Sequence, residues 1–238
     1  MGRLLFTLSL LALALSACTS DAVNFVGQDV VASIPWGAAE EARYRLLDGD
    51  EVRGTAVLRI ERDEGDQVAF RQDFAGGEFK DEVVAVVAEP TMRPASVERV
   101  IEGPKGARRW EVSYSDGQAL VVQRSENDER TDDLTVPSHS YDSASDVFLW
   151  RTIDFSVGYE ATYVDILTAT LAKPQIISVT LKVTGKERVE VPAGSFDAWR
   201  VEVRSSGRTQ KAWYADDDRR TLVRYDNGDL VFELLSVS

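Results

Sequence analysis

Alternation of apolar and polar residues with a period of two is the feature that most limits the fold of this chain. Residues 179–183 and 199–203 each place three apolar side chains at every second position, and Leu230, Phe232 and Leu234 repeat the pattern. Successive side chains of a β-strand point to opposite faces, so such runs bury one face only. The pattern predicts an antiparallel sheet with one buried face.

Turn signals separate these runs along most of the chain. Asp-Gly and Gly-Gly pairs occur at 48–49, 76–77 and 116–117, and Asp226-Asn227-Gly228-Asp229 predicts a primed-type hairpin between the last two strands. We therefore expect roughly ten to twelve short strands and an all-β fold. A sheet with so many strands curls or closes. The predicted architecture is a single strongly curved antiparallel sheet, either a half-barrel or an open barrel.

One short helix near 142–152 is expected to interrupt the strands. Asp142 or Ser143 is a suitable N-cap, and Ala144, Val147 and Phe148 follow at helical spacing. This helix is predicted to plug one end of the sheet.

The N-terminus has the pattern of a secretory signal. A short positively charged start, Met1–Arg3, precedes the apolar run Leu4–Leu15. That run is too short to cross a bilayer, which takes about 20 helical residues. It fits the hydrophobic region of a signal peptide.

The residues after this run, Leu15-Ser16-Ala17-Cys18, resemble the bacterial lipobox. The resemblance implies cleavage before Cys18, diacylation of its sulfur and usually acylation of the new amino terminus. Cys18 is the only cysteine of the chain, and it stands where this chemistry needs it. The alternative is an ordinary signal peptide in which Cys18 is incidental.

These features predict three segments. Residues 1–17 are the lipoprotein signal peptide, 18–42 the lipidated N-terminus and tether, with residues 34–37 docking on the domain, and 43–238 a single β domain. The expected location is the cell envelope, anchored in a membrane through acyl chains on Cys18 and facing the periplasm or the exterior. Thr19 favours the outer membrane in a Gram-negative host.

Composition excludes several classes of function. With 27 Lys+Arg against 40 Asp+Glu, the net charge of -13 argues against nucleic acid as a partner, because phosphates are neutralised by basic side chains. One cysteine and one histidine provide neither an internal disulfide nor a thiolate- or histidine-rich metal site. We predict no metal and no other cofactor.

Catalytic patterns are weak, and no catalytic residue is predicted. A Ser-His-Asp hydrolase would need His139 as its base, but the chain has no Gly-x-Ser-x-Gly elbow. The acidic run 216–218 lacks the spacing of a calcium loop, and the arginines at 219 and 220 favour a salt-bridged turn there.

Residues Glu187–Arg200 read E-R-V-E-V-P-A-G-S-F-D-A-W-R, and the chain continues with Trp213–Asp216 and Arg219–Arg224. This region resembles the family known as domain of unknown function 3108, a group of bacterial envelope proteins. Further matching positions are Tyr44, Gly49, Arg93-Pro94, Asp142, Ser145, Arg151 and Gly158. The resemblance covers about residues 43–236, although the family often has Pro where this chain has Leu222.

The resemblance implies a curved sheet like that of periplasmic lipid-binding folds, and no established activity or catalytic residue. From the residues alone, Val191–Gly194 is a turn or, alternatively, a loop that gates a ligand. The aromatic side chains either fill the core or line a cavity. The leading hypothesis is a non-enzymatic envelope lipoprotein that binds a lipid or other apolar ligand in its concave face. The alternatives are a scaffold that binds another envelope protein and, more distantly, a hydrolase.

Overall fold

The alternating segments form one mixed sheet of fifteen strands in the computed structural model, which describes residues 27–62 and 65–238. The strands are β1 (Ala39–Asp48), β2 (Glu51–Arg62), β3 (Gln67–Gly76), β4 (Phe79–Ala88), β5 (Arg93–Gly103), β6 (Gly106–Ser115), β7 (Gln118–Ser125), β8 (Glu129–Thr135), β9 (Ser140–Asp142), β10 (Glu160–Leu167), β11 (Gln175–Val191), β12 (Gly194–Ser205), β13 (Arg208–Ala215), β14 (Leu222–Asp226) and β15 (Val231–Val237). The signal peptide and Cys18 lie outside the described residues.

Neighbours in the sheet follow the order β8-β7-β6-β5-β4-β3-β2-β1-β15-β14-β13-β12-β11-β10-β9. All pairs are antiparallel except β9 with β10. The two end strands, β8 and β9, do not pair, so the sheet stays open, and the predicted open architecture is confirmed. The number of strands exceeds the expected ten to twelve, and two of the additional strands are β8, which is largely polar, and β9, which has only three residues. Neither strand carries an apolar alternation that the sequence could reveal.

The inner face of the curved sheet holds the main core, and a second, smaller cluster of buried residues includes Trp213. In β1 the buried positions alternate, with Ala42, Tyr44 and Leu46 facing inward. Phe70 in β3 and Val97 in β5 continue the same face and are fully buried. This alternation is the physical reason why the period-two pattern predicts the sheet.

Strand β10 departs from the alternation because it is covered on both faces. Four consecutive residues, Tyr163–Ile166, are buried. The loop after β10 receives hydrogen bonds from strands at the other end of the sheet: Arg99 Nη1 of β5 donates to the Ala169 carbonyl at 2.7 Å, and Trp110 Nε1 of β6 donates to the Thr170 carbonyl at 2.9 Å. The sheet therefore curls until one end overlaps the other.

The helical segment forms where the sequence predicts it. It consists of two 3-10 turns, Ser143–Ser145 and Trp150–Thr152, on either side of the short helix α1 (Asp146–Leu149). The Asp142 side chain accepts a hydrogen bond from the Ala144 amide at 2.8 Å, as an N-cap does. Phe148 stacks on Phe70 with ring centroids 4.3 Å apart, so the helix packs against the concave face.

Two turns can be compared with their sequence predictions. The prediction of a primed-type hairpin at 226–229 is wrong: β14 and β15 are joined by a four-residue loop, residues 227–230, in which only Gly228 has a positive φ. Side chains shape this loop, since the Asn227 carboxamide accepts from the Leu230 amide at 2.8 Å.

Residues 192–193 form a tight turn between β11 and β12, and the Ala193 amide donates to the Leu234 carbonyl at 3.0 Å.

The segment before the sheet, residues 27–38, lies against the domain. Trp36 is buried, its ring meets Phe70 edge-on at 5.4 Å, and its Nε1 donates to Glu89 at 2.8 Å. Strand β1 begins at Ala39, so the sheet takes in residues 39–42. Among the described residues, no helix has the length and apolar character needed to span a membrane.

Candidate functional site

The concave face opens into a groove at the end of the sheet where the turns after β1, β3 and β5 lie. Its volume is about 300 Å³. Five large apolar side chains line it: Leu46, Phe74, Phe79, Ile101 and Leu230. We call this set the apolar groove. Phe79 stands at its rim and is 60% exposed, an unusual exposure for a large aromatic side chain.

The sequence builds the apolar groove by strand alternation. Leu46, Phe74 and Ile101 occupy inward positions of β1, β3 and β5. Gly103 ends β5 without a side chain, and a Cβ there would come within 2.7 Å of the Phe79 ring. The ring therefore lies over the backbone of Gly103, which fixes the rim.

A second cavity of about 170 Å³ adjoins the apolar groove and shares Phe74 and Asp81 with it. Its wall is mixed, and its polar members include Gln72, Arg99 and Asp142, which together with Asp81 we call the polar floor. The site thus combines an apolar entrance with a small number of convergent polar groups, as small-molecule pockets do.

Gln72 contributes a free acceptor to the polar floor. Its Nε2 donates to the Ala144 carbonyl at 2.5 Å, and the residue is only 9% exposed. Because a carbonyl only accepts, the amide nitrogen must face Ala144, and Oε1 points away from it. Within residues 27–62 and 65–238, no donor bonds Gln72 Oε1.

Arg99 in the polar floor is neutralised by Asp81. Arg99 Nε donates to Asp81 Oδ1 at 2.9 Å and Nη2 donates to Oδ2 at 2.6 Å. The remaining Nη1 donates to the Ala169 carbonyl. This paired geometry fixes the guanidinium and leaves its charge compensated.

Asp142 closes the back of the polar floor and is 1% exposed. Its Oδ2 accepts from the hydroxyl of Thr168 at 2.6 Å and from that of Tyr114, while Oδ1 accepts from the Ala144 amide. Burial raises the pKa of Asp142, and these hydrogen bonds oppose that rise. The carboxyl therefore serves as a fully bonded structural acceptor.

Two more aspartates lie near Asp142: Asp165 is buried, and Asp146 is partly exposed as a residue while its carboxyl is desolvated. Tyr163 Oη donates to Asp146 Oδ1 at 2.7 Å, and burial raises the pKa of Asp146 to about 8. Burial also raises the pKa of Asp165 well above its usual value, and Asp165 Oδ1 has no hydrogen-bond partner in the described part of the chain. The described ranges contain no group of three or more His, Cys, Asp or Glu side chains placed to hold a metal ion.

The structure places His139 away from this site, in an exposed loop. Its Nδ1 lies 3.0 Å from Asp29 Oδ2 and 3.2 Å from an Arg93 nitrogen. The neighbouring Ser140 donates its hydroxyl to the Pro137 carbonyl, and no serine hydroxyl of the described residues bonds His139. The residues that a hydrolase triad would need are therefore not assembled around His139.

The acidic run 216–218 has structural partners, which differ in part from the expected ones. Asp216 pairs with Lys186 at 2.5 Å rather than with the arginines that follow it. Asp217 Oδ1 accepts from the Arg219 and Arg220 amides at 3.0 and 2.8 Å. This turn is thus held by backbone hydrogen bonds to a side chain.

Sequence reasoning did not identify the groove and the polar floor as a site, although it named Asp142 as an N-cap and Leu230 as a strand residue. The inward positions of β1, β3, β4 and β5 follow from alternation, but nothing in the sequence says which of them line a cavity and which fill the core. Of the motif positions that the family resemblance picked out, Asp142 lies in the polar floor. Tyr44 instead has a structural role, since its Oη donates to the Leu222 carbonyl at 2.8 Å inside the core.

The open curled sheet with its groove defines a β-barrel-like domain, and comparison with known proteins gives the family. The chain belongs to the family described as Protein of unknown function (DUF3108), whose model matches residues 41–234. A search of curated proteins finds no match.

Solved structures share the fold at low sequence identity. The β-barrel-like protein of domain of unknown function DUF1849 from Brucella abortus is 14% identical, with a TM-score of 0.54, over 84% of this chain and 97% of that chain. A protein with a YmcC-like fold from Bacteroides fragilis is 9% identical, with a TM-score of 0.34, over 88% of this chain and 99% of that chain. The first likeness establishes the β-barrel-like fold of this chain.

Proposed function

We propose that this protein is a non-enzymatic, lipid-anchored envelope protein that binds a lipid or another apolar ligand in its concave sheet. The observation that carries the proposal is the apolar groove, which opens to solvent at Phe79 and leads to the polar floor. Covering exposed apolar surface is favourable by about 25 cal/mol per Å². A ligand tail that shields Phe79 and fills the groove gains from this effect.

The size of the site limits its ligand. Pockets for small molecules enclose roughly 300–1,000 Å³, and the apolar groove lies at the lower end of that range. A single short acyl chain, or the end of a longer one, fits better than a complete two-chain phospholipid.

The anchor is supported by the sequence. The apolar run before Leu15-Ser16-Ala17-Cys18 and the position of the single cysteine support diacylation of Cys18. Two or three acyl chains hold a protein stably on a membrane, whereas one chain binds only marginally. We place the protein in the cell envelope and, because Thr19 follows Cys18, at the outer membrane of a host with two membranes.

The scaffold alternative has less support. Large exposed apolar side chains of the described residues are distributed over several elements rather than gathered on one: Val52 in β2, Phe79 in β4, Leu120 in β7, Val157 and Leu171 in loops, and Leu235 and Val237 in β15. A docking surface for another protein would instead concentrate such residues in one patch.

Solvent extraction tests the proposed function. The full-length anchored protein is purified in detergent and extracted with organic solvent, and non-covalent lipids are measured by mass spectrometry. Ile101→Glu places a charge in the apolar groove, while Leu120→Glu places the same charge on the outer face of β7 as a matched control. We expect lipid above background from the wild type and from Leu120→Glu but not from Ile101→Glu. Equal amounts from all three proteins would contradict ligand binding in the groove.

A further inference from the structure

We infer that the ligand of the apolar groove is an electrically neutral amphiphile whose hydrogen-donating head group bonds Gln72 and whose apolar tail extends toward Phe79. This inference rests on the proposed function and specifies its ligand class. It follows from what the polar floor offers and from what it lacks.

The polar floor offers an acceptor that an apolar tail would leave unsatisfied. Gln72 lines the cavity, and its amide nitrogen is engaged by the Ala144 carbonyl, which leaves Oε1 as the acceptor available to a ligand. Burying an unpaired acceptor against hydrocarbon is unfavourable, so the apolar tail of the ligand is not expected to occupy the polar floor. A hydroxyl or amide N–H at this depth would pair with Oε1.

The polar floor lacks an uncompensated positive charge. Arg99 is paired with Asp81 through two hydrogen bonds. The nearby Asp142 contributes either a negative charge or none, depending on its protonation. A carboxylate or phosphate head group would therefore lose its hydration without gaining an unpaired cation, which is costly.

The rim of the groove provides the competing arrangement. Arg53 lines the rim but is paired with Glu51 at 3.0 Å and with Asp48 at 3.4 Å. Lys80 also lines the rim and is exposed. An anionic head group at the rim would depend on Lys80, whereas a neutral head group at the polar floor would not, so a Lys80 variant separates the two arrangements.

Competition between two amphiphiles with the same tail tests the inference. The full-length protein in detergent is labelled by a photoreactive monoacylglycerol, and monolaurin or lauric acid is added as competitor at about pH 8, where the free carboxyl is ionised. For each protein we take the ratio of the lauric acid concentration to the monolaurin concentration that halves the labelling. Partitioning of each competitor into detergent is the same for every variant, so differences in this ratio report on the protein. In the wild type we expect monolaurin to compete at a concentration about tenfold lower than lauric acid.

Three variants test which residues determine this ratio. Asp81→Asn releases the charge of Arg99 and is expected to move the ratio about tenfold toward lauric acid. Gln72→Met removes the acceptor and is expected to weaken monolaurin about tenfold while leaving lauric acid unchanged, which keeps the test decisive if Asp81→Asn does not fold. Lys80→Gln should leave the ratio as in the wild type.

Two results would overturn the inference while leaving the proposed function intact: lauric acid competing as well as monolaurin in the wild type, or lauric acid losing its effect in Lys80→Gln. If neither amphiphile reduces labelling of groove residues, the proposed function itself fails.

Discussion

The guanidinium of Arg151 and the carboxylate of Glu40 form a two-bond ion pair inside the molecule, with Nη1 to Oε1 at 2.8 Å and Nη2 to Oε2 at 3.0 Å. The two side chains are only 4% and 5% exposed. Arg151 belongs to the turn after α1 and Glu40 to β1, so the pair connects the helical segment to the sheet. The same guanidinium donates to the Arg219 carbonyl at 2.6 Å, which ties in the turn before β14 as well.

Removing one member of this pair leaves an uncompensated buried charge. Arg151→Met is therefore expected to lower the free energy of unfolding by about 3–5 kcal/mol. Urea denaturation measures the change. The control is Arg188→Met, because Arg188 pairs with Asp197 on the surface and an exposed pair contributes about 1 kcal/mol or less. Equal losses of unfolding free energy in the two variants would show that the buried pair contributes no more to stability than an exposed pair.

Stability should depend on pH through the buried carboxyl of Asp146. Its pKa is about 8 in the folded protein, while the unfolded value is the ordinary 3.8. The folded state therefore binds more protons between these values, and the contribution of Asp146 to stability is lost as pH rises through this window. The slope attributable to this one group is at most about 1.4 kcal/mol per pH unit.

Asp146→Asn removes this titrating group and also the charge that raises the pKa of Asp165, while the amide oxygen still accepts the hydrogen bond from Tyr163. Relative to the wild type, the variant is expected to gain stability steadily from about pH 5 to pH 8 in urea titrations. Asp154→Asn, an exposed neighbour in the sequence, should follow the wild type at every pH. A constant difference between Asp146→Asn and the wild type across this range would contradict the shifted pKa.

The turn between β11 and β12 needs glycine at position 194. Gly194 has φ +135°, a conformation that side chains rarely adopt, and a Cβ there would meet only the Phe196 ring at 3.9 Å. Gly194→Ala should therefore destabilise the protein by about 1–3 kcal/mol through backbone strain rather than a clash. Thermal unfolding measures this, with Gly37→Ala as control because a Cβ at position 37 meets nothing within 4 Å. An unchanged melting temperature for Gly194→Ala would rule out a requirement for this conformation.

Lipidation of Cys18 can be tested in a bacterial host with an alkyne palmitate analogue. The wild type should incorporate the analogue and sediment with membranes. Cys18→Ser should not incorporate the analogue, because no other cysteine can accept the acyl group. Thr19→Ser keeps the cysteine and should label like the wild type. Incorporation of the analogue into Cys18→Ser would refute the anchor.

Much of the fold follows from the sequence because strand alternation depends on local chemistry. The inward faces of β11 and β12 could be read directly from residues 179–183 and 199–203, and the Asp142 cap marks the start of the helical segment. The loop at 227–230 was wrongly predicted because Asn-Gly permits a tight turn, while Asn227 uses its side chain to hold a wider one.

The site could not be predicted in the same way. Whether Phe74 and Ile101 line a groove or fill a core depends on the curvature of the whole sheet, which no local pattern records. The run Tyr163–Ile166 shows the same limit, since Val164 lies beside Gly27 and Tyr163 bonds Asp146, contacts that no local pattern records. Polar residues such as Gln72 alternate like any inward position, so their access to a cavity becomes visible only after folding.

The most direct test of ligand binding in the concave face is to map where a ligand touches the protein. A diazirine-bearing acyl probe is added to membranes that carry the full-length protein, and the cross-linked peptides are identified by mass spectrometry. The proposal predicts cross-links to Phe74, Phe79 or Ile101 that excess unlabelled ligand suppresses. Cross-links confined to outer-face residues such as Leu120, or cross-links that competitor does not reduce, would contradict it.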